Sequence, residues 1–230
     1  FRPSLMMLLD DAAMVLCSSE ATMHDCRAAG FDDERLRHVP LGVTTHEVSE
    51  NDRLRVQATY ELPEKFILFV GTLEPRKNLS RLIEAVSSMR DAPPLLIAGM
   101  EGWGDEVPVL NHDVRFLGFV PAHNLPAIYE ACTVFAFPSI FEGYGLPVIE
   151  AMAHGAPVVT SRGISTEEVA GGAAVLVDPL NVDSIVDGIR KAMSSADDLR
   201  VRGLERARHA SWATTAELTV AAYRDTLERA

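Results

Sequence analysis

Long apolar runs are missing from this 230-residue chain. No stretch reaches the ~18 residues that mark a membrane-crossing helix. Basic clusters are missing too: 21 Lys and Arg stand against 33 Asp and Glu, for a net charge of −12. An acidic chain without a Lys/Arg patch is not built to track nucleic acid or to coat an anionic lipid surface. Cysteine is scarce. Cys17, Cys26 and Cys132 are odd in number and form no Cys-x-x-Cys, which argues against a disulfide framework and for a reducing cytoplasm. None sits in a setting that would activate a catalytic thiol, and Cys132, beside a strand-like run, reads as core. The seven histidines show no metal-ligand spacing, so no metal site is expected. Phe1-Arg2-Pro3-Ser4 opens no signal peptide, because no apolar h-region follows. A Gly-x-Gly-x-x-Gly after the first strand, a Walker lysine loop and a Gly-x-Ser-x-Gly elbow are all absent. Their absence disfavours nicotinamide or flavin binding, P-loop chemistry and serine hydrolysis.

What is present is an ordinary globular composition, 47% apolar and 23% charged, arranged as an alternation. Phe66 to Val70, Leu95 to Ala98, Val114 to Leu117, Val134 to Phe137, Val158 to Thr160 and Ala174 to Val177 are near-continuous apolar runs. Such runs suit strands covered on both faces. Helical patterns lie between most of them: Leu79 to Met89, Leu125 to Ala131, Pro147 to His154 and Thr166 to Val169. Val182 to Met193, Ala196 to Ala210 and Ala213 to the end follow. The alternation predicts an α/β fold with a doubly wound, Rossmann-like parallel sheet. Asn78 and Asn124 stand where helix N-caps belong. Asn78-Leu79-Ser80 also matches a glycosylation sequon, but the cap is the better reading.

The first 45 residues differ. A strand (Ala13 to Cys17), a helix (Ala21 to Ala29) and a short strand (Leu36 to Pro40) make about half a Rossmann unit and cannot form a core alone. Leu41-Gly42-Val43 reads as a hinge, and Thr44 to Arg55 as a polar connection. Because the chain begins in mid-pattern without Met, it reads as the later part of a longer protein. Residues 1–42 are expected to be the tail of an upstream domain, 43–211 a ligand-binding domain and 212–230 a final helix.

The most informative segment is Phe141-Glu142-Gly143-Tyr144-Gly145-Leu146-Pro147-Val148-Ile149-Glu150. Two carboxylates stand eight positions apart, separated by a Gly-x-Gly turn and a proline. Pro147 suits the first helical position, where a missing N–H costs nothing. The glycines let backbone approach a ligand closely, and the unpaired first-turn N–H groups make an anion seat. In a parallel sheet the ligand binds at the carboxyl ends of the strands, which directs attention to Gly71-Thr72-Leu73-Glu74-Pro75-Arg76-Lys77-Asn78. Arg76 and Lys77 are adjacent cations there. A charge pair at ~4 Å is worth roughly 4 kcal/mol gross at an effective dielectric near 20, whereas a helix N-terminus contributes about 0.3–1 kcal/mol. The cations should therefore carry most diphosphate affinity and the turn should mainly set position. Taken alone, Arg76 and Lys77 read equally well as a solvated surface pair. Gly118-Phe119-Val120-Pro121 ends another strand and could meet a nucleobase, or be a simple turn.

Together, Val70 to Leu79, Phe116 to Val120 and Phe141 to Gly155 resemble the donor half of a retaining GT-B glycosyltransferase. That large family includes bacterial mannosyltransferases and the sucrose and trehalose-phosphate type synthases, and the glutamate pair matches its E-x7-E pattern. Ser211-Trp212-Ala213 and Tyr223 resemble the family's C-terminal segment, which crosses back onto the N-terminal domain. The resemblance implies metal-independent transfer of a hexose with retention, from a nucleoside-diphosphate sugar to a saccharide or lipid acceptor. It implies that Glu150 holds the nucleotide ribose and Glu142 the donor sugar hydroxyls. Arg76 and Lys77 neutralise the diphosphate; backbone at Gly71, Thr72, Gly143, Tyr144, Gly145 and Leu146 lines the donor; and Phe119 meets the base. Thr72 stands where many members carry arginine, so Arg76 takes over that role. GDP-mannose is the first-choice donor and a UDP-sugar the second. The upstream domain, in the same protein or a separate chain, is the expected partner, with self-association as another outcome and a peripheral membrane location through that domain. A non-catalytic nucleotide-sugar-binding or scaffold module, and an epimerase or phosphorylase of the same fold, are the competing readings.

Overall fold

The structure is a computed structural model that describes residues 11–100 and 113–229. Two parallel sheets are present among the described residues. The smaller pairs β1 (Val15–Cys17) with β2 (Leu36–His38), joined by α1 (Glu20–Ala28). The larger contains β3 (Ile67–Val70), β4 (Leu95–Ala98), β5 (Val114–Gly118), β6 (Val134–Phe137), β7 (Val158–Ser161) and β8 (Val175–Val177). Its order is β5-β4-β3-β6-β7-β8, all parallel. The helices are α2 (Glu50–Thr59), α3 (Leu79–Ser88), α4 (Leu125–Ala131), α5 (Leu146–Ala153), α6 (Ser165–Ala170), α7 (Val182–Ser194), α8 (Ala196–Arg208) and α9 (Trp212–Arg229). This is the doubly wound architecture that the alternation predicts. The winding reverses between β3 and β6, and a ligand crevice forms at the carboxyl ends where it does so.

The central strands are apolar throughout because helices cover both faces: every residue of β4 and β6 is buried. Phe137 stacks between Phe69 and Phe135 in the middle, with ring centroids 5.9 and 5.7 Å away respectively. A second, separate cluster (Cys17, Met23, Phe31, Leu36) forms the core of the β1–α1–β2 unit. The apolar stretch Leu5 to Leu9 in the sequence lies outside the described residues. On α9 only Ala222 is buried, and Trp212, Val220, Tyr223 and Leu227 are exposed.

Two local expectations differ from the structure. The polar connection from Thr44 to Arg55 contains the start of α2, which buries only Val56. Too few apolar residues mark a helical face there, so periodicity is silent. The helix is set instead by its cap: the Ser49 hydroxyl accepts from the Asp52 N–H and donates to its carboxylate. The second difference concerns the asparagines. Asn78 and Asn124 occupy the N-cap positions, but neither side chain caps its helix. Asn78 is left-handed (φ 60) and its amide donates to the carbonyls of Pro138 (2.9 Å) and Pro179 (2.6 Å). Asn124 bonds Arg55 and the Tyr60 hydroxyl. Longer-range partners outcompete the local cap in both cases.

The expected hinge is a tight crossing. Val43 N–H donates to Ala210 C=O, and the Thr215 hydroxyl donates to Pro40 C=O. Gly42 lies against the start of α9, where an added Cβ would stand 2.2 Å from the Trp212 nitrogen. Only glycine lets the two backbones pass so closely. Gly42→Ala should therefore destabilise the chain by at least about 1 kcal/mol through overpacking, read as a fall in Tm of roughly 2–4 °C.

Candidate functional site

The loops after β3 and β6 meet at the reversal of winding. After β3, a single 3-10 turn (Pro75–Lys77) presents Arg76 and Lys77. After β6, Phe141-Glu142-Gly143 leads into α5. Cross-links hold the two loops together: Ile140 N–H donates to Arg76 C=O at 2.7 Å, and Asn78 ties the same loop through Pro138. Between them lies one ion network. Lys77 Nζ meets Glu142 Oε1 at 2.7 Å and Arg76 Nη1 meets Glu142 Oε2 at 2.8 Å, so each carboxylate oxygen has its own cation. Arg76 Nε also reaches Glu74 Oε2 at 2.7 Å. Lys77 and Glu142 are buried, 7% and 8% exposed, and Lys77 Nζ sits 4.7 Å above the Phe137 ring. The Arg76 side chain is 40% exposed and is the more accessible cation of the two.

Below Glu142 the backbone is anchored as well. The Ser165 hydroxyl, at the first position of α6, donates to Glu142 C=O at 2.7 Å. Gly145 is the N-cap of α5 at φ 103, and an added Cβ would lie 2.7 Å from Thr166 Cγ2. A side chain is thus excluded there by backbone and by space. The helix begins at Leu146, so Pro147 takes the second helical position, not the expected first; its missing N–H is still one of the orphans. Tyr144 turns its ring away from the ion network and donates its hydroxyl to Leu41 C=O at 2.7 Å.

Glu150 belongs to a second point of the site. Its Oε2 accepts from the Tyr129 hydroxyl at 3.3 Å, and Tyr129 stacks on His154. Burial raises the Glu150 pKa above the ordinary glutamate value, while the Tyr129 hydrogen bond and nearby His154 pull it down. Gly71 and Thr72 close β3, and an added Cβ on Gly71 would sit 3.6 Å from Lys77 Cε. Phe119 follows β5 with 67% of its surface exposed. Since β5 is two strands from β3, it stands about 10 Å along the sheet. Burial pushes the Cys17 and Cys132 thiols up to about 12, so neither is a nucleophile near neutral pH. Among the described residues no group of three or more His, Cys, Asp or Glu is placed to hold a metal ion.

Arg76, Lys77, Glu142 and the Gly143–Leu146 turn are therefore brought together, and Glu150 is held separately by Tyr129. Glu74, Ser165 and Tyr129 were not among the expected site residues. Glu74 was visible as a neighbour of the cations; Ser165 and Tyr129 reach their partners from neighbouring helices and leave no local sequence signal.

Residues 50–210 match the family described as glycosyl transferases group 1. The chain belongs to that family. It is 33% identical over 234 residues to the O-antigen chain mannosyltransferase B of Escherichia coli, covering 94% of this chain and 61% of that protein. The chain thus spans under two thirds of that curated relative. Sucrose-phosphate synthase from Thermosynechococcus elongatus matches with a TM-score of 0.82 at 23% identity, over 100% of this chain and 63% of the other. The Anabaena HepE protein, solved with UDP-glucose, matches with a TM-score of 0.83 at 20% identity, over 100% of this chain and 67% of the other. The fold of this glycosyltransferase chain is thereby a GT-B fold, consistent with its C-terminal half. No helix among the described residues is long and apolar enough to cross a membrane.

Two stability tests follow from the buried charges. Removing Glu142 strands the buried Lys77 cation, so Glu142→Ala should cost about 3–5 kcal/mol in urea unfolding. Lys77→Met combined with Glu142→Gln should recover much of that loss, a coupling that a double-mutant cycle reads directly. For Glu150 the folded pKa is raised, so its contribution is most favourable below the unfolded value and is lost as pH rises through the folded one. Glu150→Gln should accordingly raise Tm at pH 7, and the gain should vanish below about pH 4.3.

Proposed function

We propose that this chain supplies the donor site of a retaining, metal-independent glycosyltransferase that moves a hexose from a nucleoside-diphosphate sugar to a saccharide or lipid acceptor. One observation carries the reading: Arg76 and Lys77 converge on Glu142 at the switch point, directly before the glycine-rich start of α5. Without ligand their charges are balanced by Glu142 and Glu74. An incoming diphosphate offers more negative charge than either carboxylate, and Arg76, the exposed member, swings onto it while Lys77 stays partly shared with Glu142. Freed of one cation, the Glu142 carboxylate accepts hydrogen bonds from sugar hydroxyls. Glu150, aligned by Tyr129, takes the ribose hydroxyls, and backbone at Phe119 meets the base; ~10 Å of sheet suits the distance from diphosphate to base.

In the reaction the acceptor hydroxyl oxygen bonds to the anomeric carbon on the face the diphosphate leaves. The carbon–oxygen bond to phosphate breaks, its electron pair stays on the diphosphate, and the acceptor proton passes to a phosphate oxygen. Arg76, Lys77 and the α5 amides stabilise that growing charge without having to reorganise. Glu142 and Glu150 do not act as a nucleophile and acid pair. Residues 1–42 are the tail of the acceptor-side domain, 43–211 the donor domain and 212–230 the crossover helix. The exposed face of α9 packs on the upstream domain, whether in the same protein or a separate chain, and alone this chain has little transfer activity because donor and acceptor need both domains for alignment. A cytoplasmic site of action goes with this reading.

The mannosyltransferase relative supports mannose as the sugar, and GDP is the carrier proposed for it. The UDP-glucose in the HepE structure supports the second choice, a UDP-sugar. Calorimetric titration with GDP, UDP, GDP-mannose and UDP-glucose tests both. Lys77→Ala should weaken nucleoside-diphosphate binding about 10- to 100-fold, as expected for losing a charge-assisted hydrogen bond. Tyr129→Phe should weaken it less and move its pH midpoint upward, because the lost hydrogen bond lowers the Glu150 pKa. Absence of binding to every nucleoside diphosphate would overturn the reading.

A further inference from the structure

The glycine-rich turn is gripped from outside its own domain. Three hydroxyls of the β1–α1 unit converge on one carbonyl: Ser19 Oγ at 2.7 Å, Thr22 Oγ1 at 2.9 Å and Ser18 Oγ at 3.1 Å from the Gly143 oxygen. These residues are more than 120 positions away in sequence. A carbonyl oxygen has two lone pairs, so the site offers more donors than it can use, and the hydroxyls can trade places without losing the grip. Alongside, the Glu168 carboxylate accepts the N–H groups of Glu20 (2.9 and 3.0 Å) and Ala21 (3.3 Å), capping α1 from α6. His38 Nε2 lies 3.2 Å from the same carboxylate. The short helix α6 therefore works in two directions. Ser165 at its start holds the Glu142 carbonyl, and Glu168 one turn later holds α1 in place to hold the Gly143 carbonyl.

We infer that Ser19 and Thr22 are positioning residues for the donor site, through which the N-terminal unit sets the shape of the Gly143–Leu146 turn; this rests on the function proposed above. A peptide unit is planar and trans, so pinning a carbonyl aims the next N–H in the opposite direction. Drawing the Gly143 carbonyl toward α1 aims the Tyr144 N–H away from it. Two successive carbonyls are fixed in this way, from α6 and from α1. The grip is made only while the β1–α1 unit stands against the turn, and that unit joins the rest through the Gly42 crossing. Separation of the two would release Gly143 and let the turn relax, so donor affinity is coupled to how the N-terminal unit is seated.

The variants separate this role from simple helix capping. Ser19 is also the N-cap of α1, accepting from Thr22 N–H. Ser19→Asp keeps a good cap but sets a carboxylate against the carbonyl in place of a hydroxyl donor. Thr22→Val removes the second donor at constant shape, and Ser18→Ala removes the third. Ser19→Thr keeps both cap and donor. Amide hydrogen exchange of the peptide covering residues 140–150 is measured on the full 230-residue chain without ligand, and GDP and UDP are titrated in parallel. In Ser18→Ala/Ser19→Asp/Thr22→Val, which leaves none of the three donors, exchange should rise and nucleoside-diphosphate affinity should fall, each by about tenfold, the effect of losing one to two hydrogen bonds. Ser19→Thr should match the parent in both. Unchanged exchange in the triple variant, or an equal rise in Ser19→Thr, overturns the inference. Exchange that responds as expected in a chain that takes up neither nucleotide upholds the grip on the turn and sinks the nucleotide reading alone.

Discussion

Glu142 does two jobs that pull in different directions. Its carboxylate bridges Lys77 and Arg76 and so joins the loops after β3 and β6, the two strands between which the sheet reverses its winding. That bridge organises the crevice. It also neutralises the cations that would otherwise attract an anion. A buried ion pair gains little net stability, because desolvation offsets most of the Coulombic attraction. Its value here lies in placement: Lys77 is held over Phe137 and beneath the turn before any ligand arrives. In the proposed reaction, cations already in position spend nothing on reorganisation when charge develops on the leaving group.

The glycine-rich turn is the mechanical centre of the site. It takes its shape from three directions: Ser165 of α6 holds one carbonyl, hydroxyls of α1 hold the next, and Thr166 leaves no room for a side chain at Gly145. Tyr144 adds a fourth tie, reaching from the turn to Leu41 beside the Gly42 crossing. Surface loops are mobile by default. This one is tied at nearly every residue, and several of its ties come from the part of the chain before Gly42.

Much of the architecture could be read from residue patterns. The six apolar runs became the six strands of the large sheet; central β4 and β6 are apolar along their whole length because helices cover both faces, whereas edge strand β5 buries none of its residues. The site loops were legible for a related reason: glycines, proline and paired charges at strand ends have few structural uses. Helix α2 was hidden because it buries one side chain and is held by a cap. Asn78 was placed correctly as the residue before a helix, yet its side chain does something else: a left-handed backbone turns its amide toward Pro138 and Pro179. The pairing of Glu150 with Tyr129 was out of reach, since 21 positions and a sheet crossing separate them.

The order of residues along the chain determined which chemistry was on hand: two adjacent cations after one strand, and two acids around a glycine turn after another. It also determined the fold class, because apolar periodicity is a local property written in consecutive side chains. Only the tertiary structure decided which acid pairs with which cation, and which hydroxyls reach the Gly143 carbonyl. Those contacts depend on the winding order of the sheet and on the close crossing at Gly42. Both are properties of the whole packed chain, and residues far apart in sequence meet only after the core has formed.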